Sequence, residues 1–353
     1  MALHIQRYVE PLLANDAYAF SLYDPTFPTL NDPADEFQQF IIKNSIPRVE
    51  RIHRYAWDLI VCADLHTPAS FTRDTVSMLY VNHGLHSISG DGGETLRCYG
   101  EHARGKNGVP RFTAMCEPSA VIAEKMQKAD PQMAGVIAHT GYKFASSAES
   151  ALNRRQEYRR LLGVSPDTCL VGLFGSRGEN SLFHTLGEPI FDACLDLLGE
   201  GYQFLFSAHP NEYEQYDEHI SPMGLLIESQ RERGMLVRHP KEDFVPYMAA
   251  CDIVISDFSS MAESAMLFRR KLVFSPYPDG LMWKHSLAAK ARRVLPTLES
   301  AEGLRFLLGN LRHEPLDPFS DGAREGLIRP DYDAVMAELT ARLLKIKRKK
   351  GPT

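Results

Sequence analysis

Short β-rich runs recur through the second half of this 353-residue chain, separated by stretches of helical periodicity. They are CLVGLFGS (169–176), YQFLFSAHP (202–210), GMLVRHP (234–240), DIVISD (252–257) and KLVFSPYP (271–278). FDACLDLLGE and DFVPYMAACD are two of the helical patterns between them. Such alternation predicts a parallel sheet whose strands are joined by crossover helices. The first half repeats the rhythm less cleanly, at AYAFSLY (17–23), DLIVCAD (58–64), VSMLYVNHG (76–84), RFTAMCEP (111–118) and GVIAHTGY (135–142). An α/β chain of two Rossmann-like lobes is expected. The small polar stretch ASSAESALNRRQEY (145–158) marks the boundary, giving lobes 1–148 and 149–353. A last helix near Tyr332 to Lys345 and a basic tail are counted with the second lobe, and such a helix could pack back across the interlobe junction.

Composition narrows the class. At 44% hydrophobic and 24% charged residues, with no apolar run near the ~18–20 residues of a membrane span, a globular protein is expected. Met1 to Phe20 carries acids, His4 and Pro11 instead of a basic start and an apolar block, so no secretory signal is expected. A net charge of −6 gives no reason to expect nucleic acid as a partner. The six cysteines contain no C-x-x-C pair and lie mostly in apolar runs, so reduced core thiols are expected over disulfides or zinc. HTLGEP, DLHTP and GDGGET have no metal-specifying spacing. No cofactor is indicated, and a divalent ion is left open.

The segment DIVISDFSSMAESAMLF (252–268) combines a strand, an acidic turn with two hydroxyls, and a helical pattern. In an open α/β sheet, ligands bind at the carboxyl ends of the strands, where helix starts offer N–H groups to anions. Asp257, Ser259 and Ser260 belong there. Ser260 to Glu263 also fits the S-x-x-E capping box, a purely structural use that leaves Asp257 and Ser259 unexplained. His83 follows an apolar run and precedes Gly84, a strand-end imidazole placed to take a proton. His209-Pro210 ends a strand of the second lobe, though His239-Pro240 shows that the dipeptide is not rare here. Gly172 to Gly178 is a G-x-x-G-x-x-G loop, neither a phosphate-binding P-loop nor the dinucleotide fingerprint. It offers Arg177 to a phosphate or carboxylate.

Asn82-His83-Gly84, His139-Thr140-Gly141-Tyr142, His209-Pro210 and Ser256-Asp257-Phe258-Ser259-Ser260, in this order, resemble the CDP-glycerol glycerophosphotransferase family of teichoic-acid and capsule synthesis. The resemblance runs from about residue 76 to 340. It implies a GT-B fold, two Rossmann-like lobes facing a central cleft, with the donor on the C-terminal lobe and the acceptor on the N-terminal lobe. It implies transfer of glycerol phosphate from CDP-glycerol to a hydroxyl of a surface polymer or its lipid-linked primer, releasing CMP. His83 would be the general base, and His209 would contact the donor diphosphate or departing phosphate. Ser259 and Ser260 would bind donor phosphate oxygens and Asp257 would shape their loop; Arg177, from the glycine loop, is also counted on the donor side, and Glu263 would hold donor hydroxyls where the donor is a nucleotide sugar. Asn82, Gly84 and His86 would lie on the acceptor side. The family usually continues Thr-Pro-Leu-Lys after the first motif, whereas this chain has Leu85-His86-Ser87-Ile88. AESAMLFRRKLVFSPYP, with Glu263 and Pro276, also looks like the donor loop of GT-B glycosyltransferases, so a CMP- or UDP-sugar is an alternative donor. A non-catalytic nucleotide- or glycan-binding protein is a third reading. Lys345, Lys347, Arg348, Lys349 and Lys350 could attract an anionic membrane surface, for a cytoplasmic enzyme peripheral to the inner leaflet.

Overall fold

The computed structural model describes residues 5, 8–13, 19–21, 36–47, 49, 55–63, 76–81, 104, 108–213, 221–239, 242–316, 322 and 331–345. These divide into two compact units. The first takes the described residues within Met1–Leu85, Cys98–Ala145 and Gly326–Thr353, and the second those within Ser146–Glu325.

The first unit holds four parallel strands, β1 (Leu59–Cys62), β2 (Ser77–Tyr80), β3 (Ala114–Glu117) and β4 (Ile137–His139), in the order β1-β2-β3-β4. Every residue of β2 and β3 is buried, which is why these runs are apolar on both faces instead of alternating. Helix α1 (Glu36–Lys43) and the helix Tyr332–Leu344 share one core with that sheet. Tyr332, Met336, Leu339 and Leu343, one helical stripe, meet Leu79, Val81, Ala114 and Cys116. Ser77 Oγ donates to Leu343 O at 2.8 Å, satisfying a carbonyl of the last turn, and Tyr8 Oη lies 2.6 Å from Thr340 Oγ1. The helix expected to end the second lobe thus belongs to the first. Its apolar stripe covers the first sheet.

The second unit holds five parallel strands in the order β7-β6-β5-β8-β9. They are β5 (Cys169–Phe174), β6 (Tyr202–Ser207), β7 (Leu236–Val237), β8 (Ile253–Ser256) and β9 (Lys271–Phe274). The helices that position its edges are α2 (Arg155–Leu161), α3 (Leu182–Leu186), α4 (Phe244–Ala250), α5 (Ser260–Leu267) and α6 (Leu304–Leu311). Nine of the ten sequence-expected strands appear, each shorter than its apolar run. β7, at one edge of the sheet, shrinks to two residues. For the tenth, at 17–23, only Ala19, Phe20 and Ser21 are described, and they form no strand. Cys62, Cys116, Cys169, Cys194 and Cys251 are free and buried, while Cys98 lies outside the described residues.

Candidate functional site

From β5 the chain goes to β6 and β7 on one side, then crosses to β8 and β9 on the other. The loops after β5 and β8 therefore diverge, the arrangement that opens a ligand crevice at the carboxyl edge of an α/β sheet. Asp257, fully buried at the end of β8, ties this edge together. Its Oδ2 accepts the backbone N–H of Ser176 at 2.6 Å and of Leu182 at 3.0 Å, and Oδ1 accepts that of Ser259 at 2.9 Å. Burial pushes its carboxyl above the ordinary value, and the three amides pull back against that rise. One carboxyl group thus fixes the loop after β5, the start of α3 and the start of α5.

Ser259, in extended backbone (φ −78°, ψ 164°), is the N-cap of α5, its Oγ accepting the Met261 N–H at 3.3 Å. The capping box expected at Ser260 is therefore corrected by one residue, which moves Glu263 out of the box position to the fourth residue of the helix. Glu263 is 2% exposed. Ser260 stands at the first helical position, half-buried. The helix dipole and the first-turn amides favour an anion at this end.

His209 Nδ1 accepts the Asn211 N–H at 3.1 Å as the cap of the turn Pro210–Glu212. A neutral ring used in that way carries its proton on Nε2, leaving Nε2 as a donor. Glu212, buried three residues further on, anchors the glycine loop: it accepts from Gly178 N at 3.3 Å and Ser221 Oγ at 3.0 Å, and meets His184 Nε2 at 3.2 Å. The three glycines of that loop have separate reasons. A side chain at Gly172 would meet Cys251 Sγ and the Phe174 ring at 2.6 Å, one at Gly175 would meet the Phe183 ring at 2.6 Å, and Gly178 has φ +81°. Arg177 is exposed, with no ion pair among the described residues. Beneath the loop after β6 lies Arg238, whose Nε donates to Ser207 Oγ at 2.8 Å and whose NH1 donates to Glu242 O at 2.6 Å. Burial pushes its guanidinium down from the ordinary value. Sequence reasoning missed Glu212 and Arg238, since polar residues just past a strand look like surface loop.

At the carboxyl edge of the first sheet, the sequence-expected residues Asn82, His83, Gly84 and His86 lie outside the described residues. The described part of that edge holds Glu117, 1% exposed and accepting the Ser119 N–H at 3.1 Å, and Lys143, 5% exposed. Burial holds the Lys143 ammonium well below its ordinary value and pushes the nearby Cys116 thiol up to about 12. Lys143 directly follows the His139-Thr140-Gly141-Tyr142 motif, the one signal that pointed toward it. Among the described residues no group of three or more His, Cys, Asp or Glu side chains is placed to hold a metal ion. No helix of the described residues is long and apolar enough to cross a membrane. Of the basic tail, Lys345 is described, and Lys347, Arg348, Lys349 and Lys350 are not.

No family model and no curated protein matches the sequence. Solved structures do. The wall teichoic acid polymerase TagF, as an H444N variant soaked with CDPG, matches with a TM-score of 0.65 at 13% identity, over 96% of this chain and 84% of that one. Anabaena Alr3699/HepE, in complex with UDP and glucose, matches at 0.53 and 14% identity over 96% and 95%. The UDP-GlcNAc 2-epimerase of Neisseria meningitidis, bound to UDP-GlcNAc, matches at 0.53 and 9% over 97% and 96%. A transferase and an epimerase on one architecture show that this likeness establishes fold and leaves the reaction to the site. The chain has the GT-B fold, and its likeness to TagF falls on the same CDP-glycerol glycerophosphotransferase family that its motifs resemble.

Proposed function

We propose that this protein transfers glycerol phosphate from CDP-glycerol to a hydroxyl of a cell-surface polymer or its lipid-linked primer, releasing CMP. The observation that carries this reading is the Asp257 clamp, which holds the start of α5 and the loop after β5 at one crevice. The ordered motifs and the likeness to TagF support the donor class.

In this reading the acceptor oxygen attacks the β-phosphorus, the bond from that phosphorus to the CMP oxygen breaks, and the hydroxyl proton passes to His83. The His209 Nε2–H, the Ser260 hydroxyl and the first-turn amides of α5 stabilise charge on the diphosphate, with Arg177 reaching it from the glycine loop. Ser259 and Asp257 build the site instead of touching the donor: both Asp257 oxygens accept backbone amides, and Ser259 Oγ accepts one amide and gives its proton to Ser256 Oγ at 3.3 Å, whose own proton goes to Phe174 O. Such a step depends on positioning and charge stabilisation, with a general base contributing about 10²–10⁴ in rate.

Nucleotide-dependent stabilisation tests it, since a ligand that binds only the folded state raises the melting temperature. CDP-glycerol and CMP are expected to stabilise the protein and UDP not, with labelled glycerol phosphate passing to a primer analogue. His83→Ala is expected to abolish transfer while leaving CMP binding within a few-fold. Stabilisation by UDP alone would replace this reading with a nucleotide-sugar transferase, and no response to any nucleotide would favour a non-catalytic protein.

A further inference from the structure

The amino edge of the second sheet, opposite the Asp257 clamp, carries a cavity of about 300 Å³ where β5, β8 and β9 begin. Five cations line it, Arg155, Arg269, Arg270, Lys271 and Arg312, against two acids, Asp167 and Asp252. Asp252 is fully engaged: it pairs with Arg155 and with the buried Arg159 and accepts the Leu170 N–H at 2.9 Å. Arg270, Lys271 and Arg312 have only neutral acceptors among the described residues. Arg270 donates to Phe268 O and Cys251 O, both at 2.7 Å, Lys271 to Leu311 O at 2.6 Å, and Arg312 to Asp167 O at 3.3 Å. Some of this charge complements the carboxyl ends of α4, α5 and α6, but each helix end offers only roughly half a negative charge. The cavity keeps a positive excess in a chain whose net charge is −6.

Arg269 supplies an independent observation. It lies in left-handed backbone (φ +53°) at the position that follows the cap of α5. There the Arg269 N–H bonds Met266 O at 3.0 Å and the Arg270 N–H bonds Ala265 O at 2.8 Å, a Schellman ending that glycine forms without strain. An arginine there stores strain and puts one more cation on the cavity wall, and strain held in this way points to function.

We propose that this cavity is a second anion site, which takes a phosphate-bearing ligand on the guanidinium groups of Arg269 and Arg312 and the ammonium of Lys271. Guanidinium forks match phosphate oxygens pairwise, and the lysine adds a point charge. The site is independent of the transfer reaction proposed above.

Calorimetric titration with inorganic pyrophosphate at low salt tests it, with Arg269→Gly and Arg312→Gln as variants. The expected result is an isotherm that weakens about tenfold in each variant, as for loss of one charge-assisted hydrogen bond. Arg269→Gly is expected to melt at a higher temperature than the parent while binding more weakly, a split that a merely structural arginine would not produce. Ser260→Ala, which is expected to weaken binding at the α5 start, is expected to leave this isotherm unchanged, which separates it from any heat arising there. Absence of pyrophosphate binding by the parent protein would overturn the proposal, as would binding that survives both cavity substitutions. Inorganic phosphate run beside pyrophosphate distinguishes a monophosphate from a diphosphate ligand.

Discussion

The carboxyl edges of the two sheets are built from different materials. In the second unit the edge is organised by backbone amides: three converge on Asp257, one on Ser259 and one on His209 Nδ1. In the first unit the described edge is organised around buried side-chain ionisation, with Lys143 and Cys116 both shifted toward their neutral forms by burial. Fixed backbone dipoles hold their strength at every pH, whereas a buried amine is a proton-dependent element. A crevice of the first kind suits a ligand that is always anionic. An edge of the second kind changes its charge with its surroundings.

The comparison breaks most visibly at Asp257. Replacing it by alanine leaves three amides without their acceptor, and a loss on the order of 3 kcal/mol or more is expected in urea unfolding. A loss below about 1 kcal/mol would show that the amides find other partners and that the edge is not held by this group. Gly175→Ala comes next: its new methyl would meet the Phe183 ring, at an expected cost of about 1–3 kcal/mol, partly recovered when Phe183→Leu is added.

Lys143 tests the other side. Its pKa is lower in the folded state than the ordinary 10.5 of the unfolded chain, so between those values the unfolded chain binds the extra proton and stability rises with pH. Its stabilising contribution is complete above 10.5 and lost as pH falls toward the folded value. Lys143→Met is expected to remove a slope of about 1.4 kcal/mol per pH unit from that window, measured by unfolding at a series of pH values. Parallel stability curves for parent and variant would mean the amine is not desolvated. The smallest effect separates neighbouring serines: Ser259→Ala is expected to cost about 1 kcal/mol through its cap, and Ser260→Ala to leave stability within about 0.5 kcal/mol while weakening CMP binding.

What could be read from the sequence follows from what a side-chain pattern encodes. Strands such as β5 and β8 are buried on both faces, so their composition alone announces them. Adjacent serines before a helix are nearly equivalent as text. Backbone dihedrals, not composition, made Ser259 the cap and displaced the box that Glu263 suggested. The stripe Tyr332, Met336, Leu339 and Leu343 states that a helix has an apolar face but not which sheet receives it, and so the helix was counted with the second lobe while its packing back toward the first stayed open. Glu212 and Arg238 were invisible for a related reason, and Lys143 was marked only by the motif that precedes it. Burial of a charge depends on partners distant in the chain.

That last helix also carries a consequence for synthesis. Its contact with β2 joins residues 266 positions apart, so the core that α1 begins to build on the first sheet lacks this part of its cover until almost the whole described chain has left the ribosome. Domains usually fold in the order in which they are made, yet here the second unit has its segments in hand before the first does. The first unit, begun earliest, is completed last. In the interval Leu79, Val81, Ala114 and Cys116 lack part of their native shelter, a period of exposure to aggregation that chaperone binding or slowed translation near the Tyr332 codon would shorten or prolong.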